Sequence, residues 1–196
     1  TAPRLGRLGK RWVLLPAAAV AVLLASYVVL NQGLKTDTTM QVDFTRLTSQ
    51  GGRESHPSLS PDGAFLVYDS DVAGNKDIYL QDVKSRSTIN LTAQSQADDS
   101  QPAFSPDGTK IAFRSEREGG GLFLVPRIGG TARRLTDFGF NPAWSPNGKS
   151  LAFSSVSGTR VVPVTPSSQL WMVDVTTEEK TLLTDGEAYD PRWSPH

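Results

Sequence analysis

The sequence predicts an all-β chain: a partial β-propeller of three four-stranded blades and a fragment of a fourth, preceded by one transmembrane α-helix. Three observations carry that expectation. A turn motif recurs four times, a two-residue mark recurs in step with it, and a 19-residue uncharged run stands near the N-terminus. The turn motif reads His56-Pro57-Ser58-Leu59-Ser60-Pro61-Asp62-Gly63, then Gln101-Pro102-Ala103-Phe104-Ser105-Pro106-Asp107-Gly108. It returns as Asn141-Pro142-Ala143-Trp144-Ser145-Pro146-Asn147-Gly148, and its last copy, Asp190-Pro191-Arg192-Trp193-Ser194-Pro195-His196, stops in mid-motif. The four serines, Ser60, Ser105, Ser145 and Ser194, are spaced 45, 40 and 49 residues apart. The second mark, Leu-Thr, falls at Leu47-Thr48, Leu91-Thr92, Leu135-Thr136 and Leu183-Thr184, with spacings of 44, 44 and 48. Two marks that keep one period identify a repeat architecture.

From the N-terminus, residues 1–11 read as a basic cytoplasmic juxtamembrane segment carrying Arg4, Arg7, Lys10 and Arg11. Residues 12–30 read as the membrane span. Trp12 to Leu30 holds no charge across 19 residues, and at 1.5 Å per residue such a run reaches roughly the ~30 Å of a bilayer's hydrocarbon core. Trp12 and Tyr27 stand near its ends, where amphipathic rings favour the interface, and Pro16 sits early enough to do a helix little harm. The basic residues lie ahead of the span and only Lys35 follows closely, so the N-terminus is expected in the cytoplasm. The run is longer than a signal-peptide core and has no small-x-small site after it. Residues 31–43 are polar and read as a linker.

Residues 44–196 carry the repeats. Each Ser-Pro-(Asp/Asn)-Gly is a tight turn: Pro presets φ, Asp or Asn bonds its own backbone, and Gly accepts positive φ. The predicted turn residues are Ser60, Pro61, Asp62 and Gly63, then Ser105, Pro106, Asp107 and Gly108, then Ser145, Pro146, Asn147 and Gly148. After each turn comes a β-branched and aromatic run (Phe65 to Tyr68, Ile111 to Phe113, Leu151 to Phe153). A third run follows a polar or Gly-rich loop (Asp77 to Leu80, Gly121 to Val125, Gln169 to Val173), and a fourth leads into Leu-Thr. Four short strands in each such unit match one propeller blade. Val156 to Ser168 is expected to be a loop inserted in the third unit.

The repeated Leu-Thr … polar-Pro-x-aromatic-Ser-Pro-Asp-Gly … Ile-Ala-Phe … Ile-Tyr resembles the TolB-like propeller repeat, a relative in shape of the WD-repeat blade. The resemblance covers residues 44–196; it departs at Asn147, where the family has Asp, and at His196, where the last copy ends before a Gly. The family usually has six blades, and six such units need roughly 260 residues, so the sequence reads as part of a longer open reading frame. A basic stretch, one span and TolB-like repeats together resemble the C-terminal half of bacterial membrane-anchored serine/threonine protein kinases. That likeness implies an inner-membrane, single-pass protein whose propeller is a periplasmic or extracytoplasmic sensor for a protein, peptide or small ligand. A TolB-like envelope scaffold, the gating propeller of an anchored peptidase and the ectodomain of a membrane-bound winged-helix regulator are the competing readings.

The chain's 20 basic and 20 acidic residues balance, but residues 1–36 hold five of the basic ones and no acid, leaving 15 against 20, net −5, in residues 37–196. A mildly acidic domain is a poor nucleic-acid binder, so no nucleic-acid partner is expected. No cysteine is present, which excludes disulfides and thiolate metal sites, and two histidines are too few for a His-rich site; no metal or cofactor is expected. Asp137-Phe138-Gly139 spells a kinase magnesium motif, yet it follows Leu135-Thr136 where the other units have inter-blade loops, and no kinase loop accompanies it. Gly119-Gly120-Gly121 lacks the Gly-Lys-Ser/Thr of a phosphate loop and reads as hairpin glycine. The acids Glu54, Asp98 and Asp99 ahead of repeat prolines read as solvated loop charges, not a calcium site. No Gly-x-Ser-x-Gly elbow occurs, so no catalytic residue is assigned and the segment is read as non-enzymatic. The binding candidates are the varied polar residues before each repeat Pro, His56, Gln101, Asn141 and Asp190, which on a propeller ring the channel mouth; the competing role is satisfying backbone groups at a crowded turn.

Overall fold

The computed structural model describes residues 20–28, 44–49, 51–156 and 168–194. The chain divides into two units, Thr1–Thr45 and Arg46–His196. In the first, residues 20–28 form a helix with all its side chains exposed; the rest of the expected 12–30 span lies outside the described residues. Among the described residues no helix is long and apolar enough to cross a membrane. Most of the predicted 156–168 insertion also lies outside them.

The second unit contains three antiparallel four-stranded sheets, each built from consecutive strands. The first sheet holds β1 (Glu54–Leu59), β2 (Phe65–Ser70), β3 (Asp77–Asp82) and β4 (Thr88–Asn90). The second holds β5 (Asp99–Phe104), β6 (Lys110–Ser115), β7 (Gly121–Pro126) and β8 (Arg133–Arg134). The third holds β9 (Phe140–Trp144), β10 (Ser150–Ser154), β11 (Leu170–Asp174) and β12 (Lys180–Thr184). One sheet per repeat, in simple up-and-down order, is the four-stranded blade that the spacing predicts. The fourth copy has no strand among its described residues; Pro191 to Ser194 are irregular.

The core lies between the sheets. Alternation sends Val67, Ile78 and Leu80 of the first blade against Phe104, Ile111, Phe113, Phe123 and Val125 of the second. The other face of the second blade places Ala112, Leu122 and Leu124 against Trp144, Leu151, Phe153 and Val173 of the third. The middle strands are covered on both sides, which is why β2, β6 and β7 read as near-continuous apolar runs. Burying each Leu, Ile or Phe contributes about 1.5–3 kcal/mol, so these two interfaces dominate the unit's stability.

The Leu-Thr mark follows the last strand of the first and second blades and ties each of them shut. Thr92 Oγ1 accepts the Ile78 amide at 2.9 Å, and Thr136 Oγ1 accepts the Leu122 amide at 3.0 Å. Each threonine thus satisfies the amide of the second residue of the blade's third strand, while Leu135 packs in the core and Leu91 against it.

Candidate functional site

The Ser-Pro-Asp-Gly turns hold the inner strand of each blade at a fixed angle to the next strand. Ser60, Ser105 and Ser145 are buried, and each accepts an amide five residues on, from Phe65, Lys110 and Ser150 at 2.9, 2.9 and 3.0 Å. Each serine hydroxyl donates to the Asp or Asn two residues later, at 2.5, 2.5 and 2.8 Å. Gly63, Gly108 and Gly148 then close the turn at φ 69°, 67° and 69°. Ser105 and the Thr109 amide hold the Asp107 carboxyl down at about 2. Asn147 makes the same bonds without a charge, so the turn needs the side-chain oxygen rather than the anion.

Just before each turn the inner strand bulges. His56-Pro57 opposes Tyr68 alone, because Ser55 pairs Asp69 and Ser58 pairs Val67. Gln101-Pro102 opposes Phe113, and Asn141-Pro142 opposes Phe153, in the same two-against-one register. The residue before each Pro is left-handed: φ is 49° at His56, 55° at Gln101, 53° at Asn141 and 48° at Asp190. His, Asn and Asp are among the few side chains enriched in that conformation, and Pro is tolerated because a bulge asks no ladder hydrogen bond of it. The backbone therefore limits which residues stand here. This bulge is the feature that sequence reasoning missed, although αL-tolerant residues before a repeated Pro are a readable signal for it.

The bulges are stitched from blade to blade. Asp69, 1% exposed, takes His56 Nδ1 at 2.7 Å and the Gln101 amide at 3.2 Å. Gln101 Oε1 in turn accepts the Asn141 amide at 2.9 Å. Behind them Trp144 Nε1 donates to the Ala103 carbonyl at 3.0 Å, and Trp193 Nε1 to the Ala143 carbonyl at 2.9 Å. The opening of the fourth repeat is thus seated on the third blade although it forms no strand. The bond to Asp69, with the nearby Asp69 and Asp190 charges, raises the His56 pKa above its ordinary value despite partial burial and Lys76.

These bulges surround one cavity of about 440 Å³. His56, Gln101 and Asn141 line it with the prolines that follow them, and Arg192 supplies the wall from the fourth repeat. Asp190, the fourth sequence candidate, shares the left-handed backbone and is exposed, but it is Arg192 that reaches the cavity. The structure brings three of the four candidates into one cavity and gives two of them, Gln101 and Asn141, bonds that join one blade to the next, while the His56 bond to Asp69 stays within the first blade.

The other sequence features fall into structural roles. In Asp137-Phe138-Gly139, Phe138 packs edge-on against Phe153 and Trp171, and Asp137 pairs with Lys180 at 2.6 Å. Gly139 has φ 123°, and a Cβ there would lie 2.5 Å from the Phe153 ring. A Cβ on Gly121 would lie 2.0 Å from the Thr136 carbonyl, so that glycine serves close backbone packing. Glu54 accepts from Thr48, Asp98 accepts the Lys76 amide, and buried Asp99 pairs with Arg117 at 2.5 Å. Among the described residues no group of three or more His, Cys, Asp or Glu could hold a metal.

The TolB beta propeller domain family matches residues 28–196. The chain is 35% identical over 106 residues to the uncharacterized peptidase YuxL of Bacillus subtilis, covering 48% of this chain and 16% of that protein. It is 34% identical over 105 residues to a TolB homologue of Chlorobium chlorochromatii, covering 50% of this chain and 23% of that one. The crystal structure of TolB from Acinetobacter baumannii superposes with a TM-score of 0.59 at 27% identity, over 70% of this chain and 34% of its own. The chain therefore spans less than a quarter of the length of these two curated relatives.

Proposed function

The chain belongs to the TolB beta propeller domain family, and from that premise we propose that its repeats form a non-catalytic binding module whose ligand seats at the inner ends of the blades. The observation that supports this is the cavity enclosed by His56, Gln101, Asn141 and Arg192, where consecutive blades present polar groups from a stitched, preorganised backbone. A protein or peptide partner suits it best, since proline-flanked bulges make a wide and shallow mouth rather than a closed pocket. Hydrogen exchange on the chain, with and without peptides selected from a random display library, tests the reading. Protection is expected at the amides of His56, Ser58, Gln101, Ala103, Asn141, Ala143 and Arg192. Protection confined to the outer strands β4, β8 and β12 overturns it.

The wider context belongs to the same proposal. The uncharged run 12–30 and the basic residues before it support a single-pass inner-membrane anchor with the repeats on the extracytoplasmic side. The order of basic segment, span and propeller supports a sensor arm of a membrane serine/threonine kinase. A second reading, the propeller of a peptidase, is favoured by the 35% identity to YuxL. The coding sequence on both sides of this segment separates them: kinase catalytic loops upstream support the first, and a serine-hydrolase elbow downstream the second.

A further inference from the structure

The polar groups left over at the cavity mouth include an amide NH2, a hydroxyl and a guanidinium, and Arg192 is the lining residue that carries a fixed charge. Gln101 spends its carbonyl oxygen on the Asn141 amide, so its NH2 end is what remains for a ligand; a backbone N–H can be met only by the oxygen, which fixes the amide's orientation. His56 gives its Nδ1–H to the Asp69 carboxylate, leaving Nε2, which accepts in the neutral imidazole and donates once the ring is protonated. Ser58 Oγ already accepts the Phe104 amide at 3.3 Å, which leaves its O–H to give. Arg192 donates one bond, at 2.9 Å to the carbonyl of the adjacent Pro191, and among the described residues no carboxylate lies within ion-pair distance of it. None of the lining residues is acidic, and the remaining wall is proline and alanine. Asp69 is buried behind His56 and already takes two donors. Arg192 therefore places one positive charge at the mouth of repeats whose net charge is negative, with the Asp69 and Asp190 carboxylates near His56.

Resting on the binding-module reading, we propose that this mouth recognises a carboxylate of an acidic peptide, with Arg192 as the bidentate partner, the Gln101 NH2 as a flanking donor and His56 Nε2 as a second one when the imidazole is protonated. A guanidinium matches a carboxylate's two oxygens, and charge-assisted bonds of this kind are roughly twice as strong as neutral ones. The Pro and Ala walls accept an extended backbone. At physiological ionic strength the screening length of ~8 Å removes the influence of distant acidic residues and leaves Asp69 and Asp190 as the acids near the mouth. The carboxylate has two sources, an Asp or Glu side chain or a peptide C-terminus.

Calorimetric titration of the chain with blocked (N-acetyl, C-amide) hexaglutamate, hexaglutamine and hexalysine tests this, with free-acid and amidated hexaalanine separating the two sources. Hexaglutamate is expected to bind at least ~10-fold more tightly than hexaglutamine, and hexalysine not at all. Arg192→Gln is expected to remove most of that preference, while Lys84→Gln on the exposed hairpin between β3 and β4 changes nothing. Arg192 is exposed and bonds only its neighbour's carbonyl, so the variant keeps its fold, which an unchanged melting curve verifies. Equal affinity for hexaglutamine overturns the anionic preference and leaves the mouth as a peptide site. Hexaglutamate binding that ignores Arg192→Gln overturns the assignment to this cavity. Binding of none of the peptides overturns both this proposal and the binding module on which it rests.

Discussion

The side-chain oxygen of Gln101 accepts the backbone amide of Asn141 at 2.9 Å, so the residue that starts one blade closes the start of the next. One blade earlier the Gln101 amide is itself taken, by the carboxylate of Asp69. The bulge positions are consequently a line of inter-blade bonds as well as the rim of a cavity. Gln101→Ala leaves the Asn141 amide without its partner and is expected to cost about 1–2 kcal/mol. Gln101→Glu keeps an acceptor there and is expected to cost less than half as much. Urea unfolding of the two variants checks the order.

Stability is expected to depend on pH through His56. Its folded pKa is raised above 6.5, chiefly by the bond to Asp69, so its stabilisation is fully present below 6.5 and is lost as pH rises through the folded value. The unfolding free energy of the wild type should exceed that of His56→Asn at pH 5.5, and the gap should close by pH 9. The imidazole is 44% exposed, so solvent screening holds the effect to about 1 kcal/mol or less. A gap independent of pH defeats this prediction.

The turn aspartates act in the opposite sense. Asp107 is held down at about 2 by Ser105 and the Thr109 amide, so its contribution is present above 3.8 and fades as pH falls toward 2. Asn147 builds the same turn without charge, so Asp107→Asn is expected to change stability at pH 7 by less than ~0.5 kcal/mol. Ser105→Ala strips the buried acceptor from the Lys110 amide and should cost about 1–2 kcal/mol. Thermal melts at pH 7 and pH 3 separate the three.

The Asp-Phe-Gly triplet is expected to respond as an inter-blade loop. Gly139→Ala must place a methyl 2.5 Å from a Phe153 ring atom at φ 123°, and should cost about 3 kcal/mol or more. Asp137→Ala breaks one partly exposed ion pair with Lys180 and should cost under ~1 kcal/mol. A functional triplet would show the reverse, with the aspartate variant altering ligand or metal binding at unchanged stability.

Much of the fold was legible because each blade closes on itself within one repeat. Ser-Pro-Asp-Gly acts over five residues, from Ser105 Oγ to the Lys110 amide, and apolar alternation over a single strand. The Leu-Thr mark reaches only from Thr92 to Ile78. Short-range chemistry of this kind is written in neighbouring residues. The rim was legible in part: polar residues before each Pro marked the positions, but their left-handed backbone and two-against-one register were not foreseen.

What the sequence by itself determined, then, was the repeat with its strands and turns, and the recurrence of a polar residue before each repeat Pro. The tertiary structure decided how those positions are used. Asp69 meets Gln101, Gln101 meets Asn141, and Trp193 meets Ala143 across separations of 32, 40 and 50 residues. No local pattern specifies such pairs; they arise because buried apolar faces stack one blade on the next and carry the bulges into register. Only that stacking spends the Gln101 oxygen on the Asn141 amide and brings Arg192 to the cavity that His56 lines.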